Sequence, residues 1–151
     1  MKVAWYPGSF FPFHVGHADV LGKALASFEH VVVAIGVNPE KDISVKGDKL
    51  WRVNRCKDEI RKHLGVKKLP ETISVVEYKG LLVDAIEQYP YATPVAIIKG
   101  IRNSSDFEYE KVQQYWNEDL GIKCPTFLVI ADRNLTHISS TALKAVSKAR
   151  K

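Results

Sequence analysis

The sequence has few cysteines and no long apolar run. Cys56 and Cys124 lie far apart and form no CxxC pair, which argues against a zinc site or a disulfide framework and favours a reducing compartment. No apolar stretch approaches the roughly 20 residues that a membrane helix needs. The opening MKVAWYPGSF soon turns to Pro and Gly, unlike a signal peptide. We therefore expect a cytoplasmic protein that neither enters a membrane nor is secreted.

Acidic residues are outnumbered by basic ones. The chain has 17 Asp and Glu against 22 Lys and Arg, a net charge of +5, and no acid follows Asp132. A basic surplus favours anionic partners, which include phosphorylated metabolites and nucleic acids. A cationic last helix that complements its own C-terminal dipole would explain the same charges. Charge alone leaves both interpretations open.

The 151 residues match the size of one domain, which we assign to 1–151 as a whole. Apolar and polar periodicities alternate along the chain, and each apolar run predicts either a strand or one face of a helix. Strands are predicted at residues 2–6, 30–37, 73–78, 94–98 and 125–131, and helices at 16–29, 50–64, 81–88, 106–117 and 139–148. This alternation predicts an α/β fold, a Rossmann-like five-stranded parallel sheet with helices on both faces.

The loop after the first predicted strand carries two histidines around a glycine, His14, Gly16 and His17. A glycine allows a ligand to approach the backbone, and the N-terminus of the next helix attracts phosphate. A histidine placed there can donate a hydrogen bond to a phosphoryl oxygen in a transition state. The alternative is structural: His17 caps the helix and His14 packs in the turn.

Further phosphate-binding features follow other strands. Lys99 and Arg102 bracket a glycine after the fourth strand, and we expect Asp106 to cap the helix that follows. After the last strand, three hydroxyl residues precede Lys144 at the start of a helix. Lys41 follows the second strand. Because parallel strands share one carboxyl edge, these features are expected to converge there.

These motifs resemble those of bacterial phosphopantetheine adenylyltransferases. The matching segments are YPGSFxPxxxGH, GLLVD at 80–84, KGIRxxxDFEYE and ISST, in the family's order and over nearly the whole chain. The resemblance implies that Mg-ATP and 4′-phosphopantetheine combine to give dephospho-coenzyme A and pyrophosphate. It also implies a homohexamer, leaves room for inhibition by coenzyme A, and calls for neither nucleic acid, membrane nor a protein-held metal.

The resemblance also implies roles for individual residues. His17, Lys41 and Arg102 fall at catalytic positions. Acceptor-binding positions correspond to Ser9, Lys41, Leu82 and Lys99. ATP-binding positions correspond to Ser9, Phe10, His17, Gly100, Ile101, Arg102, Glu110, Leu135, Thr136, His137, Ile138, Ser139, Ser140 and Thr141.

Three departures from the family's motifs concern the acceptor. Phe11 replaces the usual acid, and His14 replaces the usual threonine. Lys99 replaces an arginine, which keeps the positive charge but loses the forked donor geometry of a guanidinium. His14 supports an alternative, a nicotinamide-mononucleotide adenylyltransferase or another nucleotidylyltransferase of the superfamily. A second alternative, from another class, is a non-catalytic nucleotide-binding or nucleic-acid-binding protein.

Overall fold

One parallel sheet of five strands organises the computed structural model, which describes residues 1–37 and 49–132. The strands are β1 (Val3–Gly8), β2 (His30–Val37), β3 (Ile73–Lys79), β4 (Ala96–Ile101) and β5 (Thr126–Ile130); the helices are α1 (Val15–Ser27), α2 (Lys49–Leu64), α3 (Leu82–Glu87) and α4 (Ser104–Asp119), with a 3-10 turn at Pro90–Ala92. Strand order is β3-β2-β1-β4-β5. The order reverses between β1 and β4, where doubly wound folds place their ligand crevice. The predicted fold class is confirmed.

The sheet buries apolar side chains on both faces because β1 and β2 are apolar at nearly every position. On one face, Tyr6 and Val33 pack with Leu21 of α1 and Ile60 of α2. On the other, Trp5 packs with Ala85 of α3 and its indole Nε1 donates a 2.8 Å hydrogen bond to the carbonyl oxygen of Ala92. This two-sided core fixes β1, from which the first candidate loop emerges.

The predicted elements need correction around the fourth strand. β4 extends to Ile101, so Lys99 and Gly100 belong to the strand and not to a loop. The helix cap is Asn103, whose side chain accepts the backbone N–H of Asp106; the prediction that Asp106 itself caps α4 is wrong. An asparagine is as good a cap as an aspartate, and α4 therefore begins two residues earlier than predicted. The helix predicted at 139–148 lies outside the described residues.

None of the helices within residues 1–37 and 49–132 is long and apolar enough to span a membrane.

Candidate active site

The loop between β1 and α1 is held by a buried aromatic ring. Phe10 has a left-handed backbone, φ 47°, which costs a non-glycine residue about 1–2 kcal/mol. Burial of its ring offsets that cost, and the ring meets those of Tyr6 and His17 edge-on, with centroids 4.9 Å apart in each case. A Cβ on Gly8 would lie 2.8 Å from the Phe10 ring, so only glycine fits there. The peptide bond between Phe11 and Pro12 is cis.

The two histidines cap α1 together. His14 is the N-cap residue, and its Nδ1 accepts the backbone N–H groups of Gly16, at 3.1 Å, and His17, at 3.3 Å. In return, the Nδ1 of His17 accepts the N–H of His14 at 3.1 Å. The structural alternative assigned the cap to His17, and this is wrong: His14 is the N-cap residue, and the side chain of His17 completes a capping box.

This arrangement fixes the proton of each neutral ring. Because Nδ1 accepts hydrogen bonds in both histidines, the proton lies on Nε2. The rings are stacked, with centroids 3.6 Å apart and planes inclined by 18°. His14 and His17 therefore offer two nearly parallel rings whose donor is Nε2–H.

Both rings remain neutral at physiological pH. Burial is the main reason why the pKa of His17 falls to about 3, and the electrostatic influence of the neighbouring His14, Arg102 and His63 contributes to the same fall. Burial is also the main reason why the pKa of His14 falls to about 4. A neutral histidine can donate a hydrogen bond to a phosphoryl oxygen and stabilise it while the ring itself stays neutral.

The end of β4 and the segment that follows it hold their cations in ion pairs. The Nζ of Lys99 lies 3.7 Å from an Oε of Glu110. The carboxylate of Asp106 accepts the backbone N–H of Arg102 at 2.8 Å and lies 3.4 Å from its Nε. Burial raises the pKa of Glu110, and the charge of Lys99 opposes that rise. Asp106 therefore orients Arg102. The pair of Glu110 and Lys99 links a residue expected to bind ATP with a residue expected to bind the acceptor.

The histidine loop and the β4 segment converge, as the parallel topology predicts. The charge of Arg102 contributes to the lowered pKa values of both His14 and His17. The helix α1 approaches β4 closely because Gly100 has no side chain: a Cβ there would lie 2.9 Å from a methyl of Val20. Neutral donors and a guanidinium thus share one edge of the sheet.

Leu82 and Lys99, both expected to bind the acceptor, line the same cleft of about 390 Å³. Its walls also include Pro7 and Tyr78 at the strand ends and Trp116 of α4. The cleft combines apolar and polar side chains with one cation, which suits a ligand that has an apolar arm, amide groups and an anionic end. Ser9 and Phe10 line a different, smaller cleft.

Several predicted site residues lie outside the described residues: Lys41, Leu135, Thr136, His137, Ile138, Ser139, Ser140, Thr141 and the nearby Lys144.

A buried ion pair at the same edge was not predicted from the sequence. Arg52 of α2 donates two hydrogen bonds to the carboxylate of Glu77 on β3. A signal was present in the sequence, because Glu77 continues the inward-facing series of Ile73 and Val75. A carboxylate at a strand position whose alternation otherwise buries apolar residues predicts that the carboxylate has a buried partner.

Comparison with known proteins first defines the class. The family model described as cytidylyltransferase-like matches residues 5–146. A putative nicotinate-nucleotide adenylyltransferase from Vibrio parahaemolyticus superimposes with a TM-score of 0.63 at 19% identity, covering 100% of this chain and 90% of that one. A pantoate-beta-alanine ligase from Francisella tularensis superimposes with a TM-score of 0.54 at 13% identity, covering 97% and 69%. These two structures support the fold alone.

Sequence relatives then define the group. A phosphopantetheine adenylyltransferase from Porphyromonas gingivalis is 35% identical over 143 residues, covering 95% of this chain and 85% of the relative. One from Clostridium perfringens is 32% identical over 147 residues, covering 97% and 82%. The chain thus belongs to the cytidylyltransferase-like family and, within it, to the phosphopantetheine adenylyltransferases. The resemblance found in the motifs is confirmed, and the alternatives are not favoured.

Proposed function

We propose that the protein transfers the adenylyl group of Mg-ATP to 4′-phosphopantetheine, giving dephospho-coenzyme A and pyrophosphate. The observation that carries the proposal is the neutral pair His14–His17 beside Arg102, at the same sheet edge as the cleft that Leu82 and Lys99 line. Neutral donors, cations and a half-apolar cleft are what the two substrates require. The sequence relatives described above are named phosphopantetheine adenylyltransferases, which supports the proposal.

The chemistry needs alignment more than proton transfer. An oxygen of the acceptor phosphate attacks the α-phosphorus of ATP, a new P–O bond forms, and the bond to the departing pyrophosphate breaks. The attacking phosphate is already anionic, so no general base is required. Holding the reactants in line can contribute up to about 7–11 kcal/mol to lowering the barrier. The Nε2–H of His17 then donates to an α-phosphoryl oxygen as charge builds there.

ATP would be held mainly by residues that follow β1 and by residues at the end of β4 and just after it. We assign Arg102 to the phosphates, with Gly100 and Ile101 beside the nucleotide. Ser9 and Phe10 border it from the β1 loop, and Glu110 of α4 completes the set. Its further contacts are assigned to residues 135–141, and a catalytic cation to Lys41.

The acceptor would lie in the cleft of about 390 Å³. Lys99 pairs with its phosphate, which requires the ammonium to exchange Glu110 for the ligand. The pantetheine arm extends along Leu82 and Trp116, where apolar contact matches its methyl and methylene groups. This orientation directs the phosphate towards β4, next to the histidine loop.

The remaining assignments concern surroundings. Mg²⁺ enters bound to ATP as part of the substrate and supplies positive charge to the phosphate oxygens. We place the reaction in the cytoplasm and expect a homohexamer whose activity coenzyme A inhibits. None of the sixteen residues of α4, all of them described, is buried, and Phe107, Val112 and Tyr115 are among its exposed apolar side chains. This exposed surface supports self-association, which light scattering would test.

A substitution in the cleft tests the assignment. Leu82→Asp should abolish turnover of phosphopantetheine, because a carboxylate against the apolar arm would have to lose its hydration at a cost of several kcal/mol. Pyrophosphate release measures turnover, and calorimetric ATP binding, expected to be unchanged, shows that the variant is folded. Val66→Asp, exposed and away from the cleft, is the matched control. Normal turnover by Leu82→Asp would contradict the proposed acceptor site.

A further inference from the structure

The buried ion pair between Arg52 and Glu77 joins the start of α2 to the carboxyl end of β3. The Nε of Arg52 lies 2.8 Å from one carboxylate oxygen, and a terminal guanidinium nitrogen lies 2.7 Å from the other. The side chains are only 10% and 2% exposed. Two short, parallel, charge-assisted hydrogen bonds fix distance and orientation together, which a single contact does not.

Each partner borders a different part of the candidate site. Successive residues of a strand point to opposite faces, and Glu77 precedes Tyr78, which lines the acceptor cleft with Leu82. Arg52 lines the smaller cleft with Ser9 and Phe10. Arg52 thus borders the residues of the loop after β1 while Glu77 engages its guanidinium.

We propose that Arg52 and Glu77 are positioning residues that set the acceptor cleft relative to the loop carrying Ser9. The pair holds the end of β3 against α2, and the cleft wall formed by Tyr78 and Leu82 is built on that strand end. The inference rests on the proposed function, because it assigns the pair to the acceptor and not to ATP.

Stability alone does not account for this pair. Removing one partner of a buried ion pair leaves an uncompensated charge, whereas replacing both with apolar residues of similar volume is often neutral or stabilising. The geometry of a bidentate contact is what an apolar pair would fail to reproduce. Stability and positioning can therefore be separated experimentally.

The test compares Arg52→Met, Glu77→Leu and the double variant with the intact protein. Both single variants should lose thermal stability, and the double variant should recover a Tm within about 4 °C of the wild type. Its KM for phosphopantetheine should nevertheless rise about tenfold or more, with the KM for ATP unchanged, because misplacement of about 1 Å is costly. Arg61→Met, which removes an ion pair with Asp58 on the same helix, should change neither KM.

The alternative results are distinct. A double variant that recovers both Tm and acceptor KM would show that the pair is only structural. A raised acceptor KM in Arg52→Met with a normal one in Glu77→Leu would show that Arg52 contacts the ligand itself, which also overturns the inference. If the double variant does not fold, two single variants that keep the charges replace it: Arg52→Lys loses the forked donor, and Glu77→Asp shortens the reach of the carboxylate. A normal acceptor KM in both would contradict the inference.

Failure of the proposed function is recognised separately. A wild-type protein that releases no pyrophosphate with phosphopantetheine contradicts that function whatever the variants do. A wild type that turns over, with a double variant of unchanged acceptor KM, contradicts only the positioning role.

Discussion

Two neighbouring regions of the site are held by different forces: the loop between β1 and α1 with the first turn of α1, and the end of β4 with the residues that follow it. In the first, backbone N–H groups and aromatic rings fix His14 and His17, and neither ring is charged. In the second, carboxylates hold the cations: Glu110 pairs with Lys99 and Asp106 with Arg102. The first region is therefore ordered before a ligand binds. In the second, a phosphate must displace Glu110 from Lys99 or Asp106 from Arg102 before it can pair with the cation.

This difference indicates that the two regions have different roles in the proposed reaction. Preorganised neutral donors cost no reorganisation when charge develops, so they serve the transition state. Paired cations respond to bound anions, so they serve ground-state binding. Substitutions in the first region should lower kcat, and those in the second should weaken binding.

The largest effect is expected for His17→Ala. Loss of its Nε2–H donor should lower kcat by about 10²–10³, as for other donors to a developing oxyanion, with little change in KM. Steady-state kinetics with ATP and phosphopantetheine measures both. Loss of ATP affinity with kcat intact would assign His17 to the ground state and remove the contrast between the two regions.

Truncating the cations should have a smaller and ligand-specific effect. Arg102→Ala should weaken ATP binding and Lys99→Ala acceptor binding, each by about 1.5–3 kcal/mol, the value of one charge-assisted hydrogen bond. Lys99→Arg should be tolerated, because it restores a forked cation. Isothermal titration with each ligand decides the matter, and a reversed pattern would overturn the assignment.

Stability should depend on pH through the first region. The pKa of His14 is about 4 in the folded protein against about 6.5 when unfolded, so below pH 6.5 the unfolded state binds more protons. Stability therefore falls as the pH falls from 6.5 towards 4. At pH 5 we expect His14 to account for a loss of about 1–2 kcal/mol in the free energy of unfolding, relative to pH 7.5.

Because threonine can also cap a helix, His14→Thr isolates this contribution. Urea unfolding at pH 7.5 and pH 5 should show a smaller acid loss in the variant than in the wild type. Equal losses in both proteins would mean that His14 is protonated in the fold, contrary to a neutral pair.

The smallest effect is expected on activity in the same variant. If His14 serves mainly as the cap and as a secondary donor, His14→Thr should keep turnover of phosphopantetheine within about tenfold, or about 1.4 kcal/mol in barrier. A far larger loss would make His14 as important as His17.

The alternation of apolar runs predicted the sheet and its helices because each run must bury one face. The strand His30–Val37 was predicted with its observed bounds. The limits of β4 were missed because Lys99 and Gly100 look like loop residues, yet both pair with β5 in the sheet. The stacking of His14 on His17 depends on the local geometry of the capping box, and the pairing of Arg52 with Glu77 depends on the packing of α2 against β3. The positions of these residues in the sequence do not specify either contact.

The most direct test of the account is a competition between acceptors. The wild-type protein, ATP and Mg²⁺ are incubated with equal concentrations of 4′-phosphopantetheine and nicotinamide mononucleotide, and the products are quantified by mass spectrometry. The account predicts dephospho-coenzyme A, formed in step with pyrophosphate, and little NAD. Predominant formation of NAD, or neither product, would contradict it.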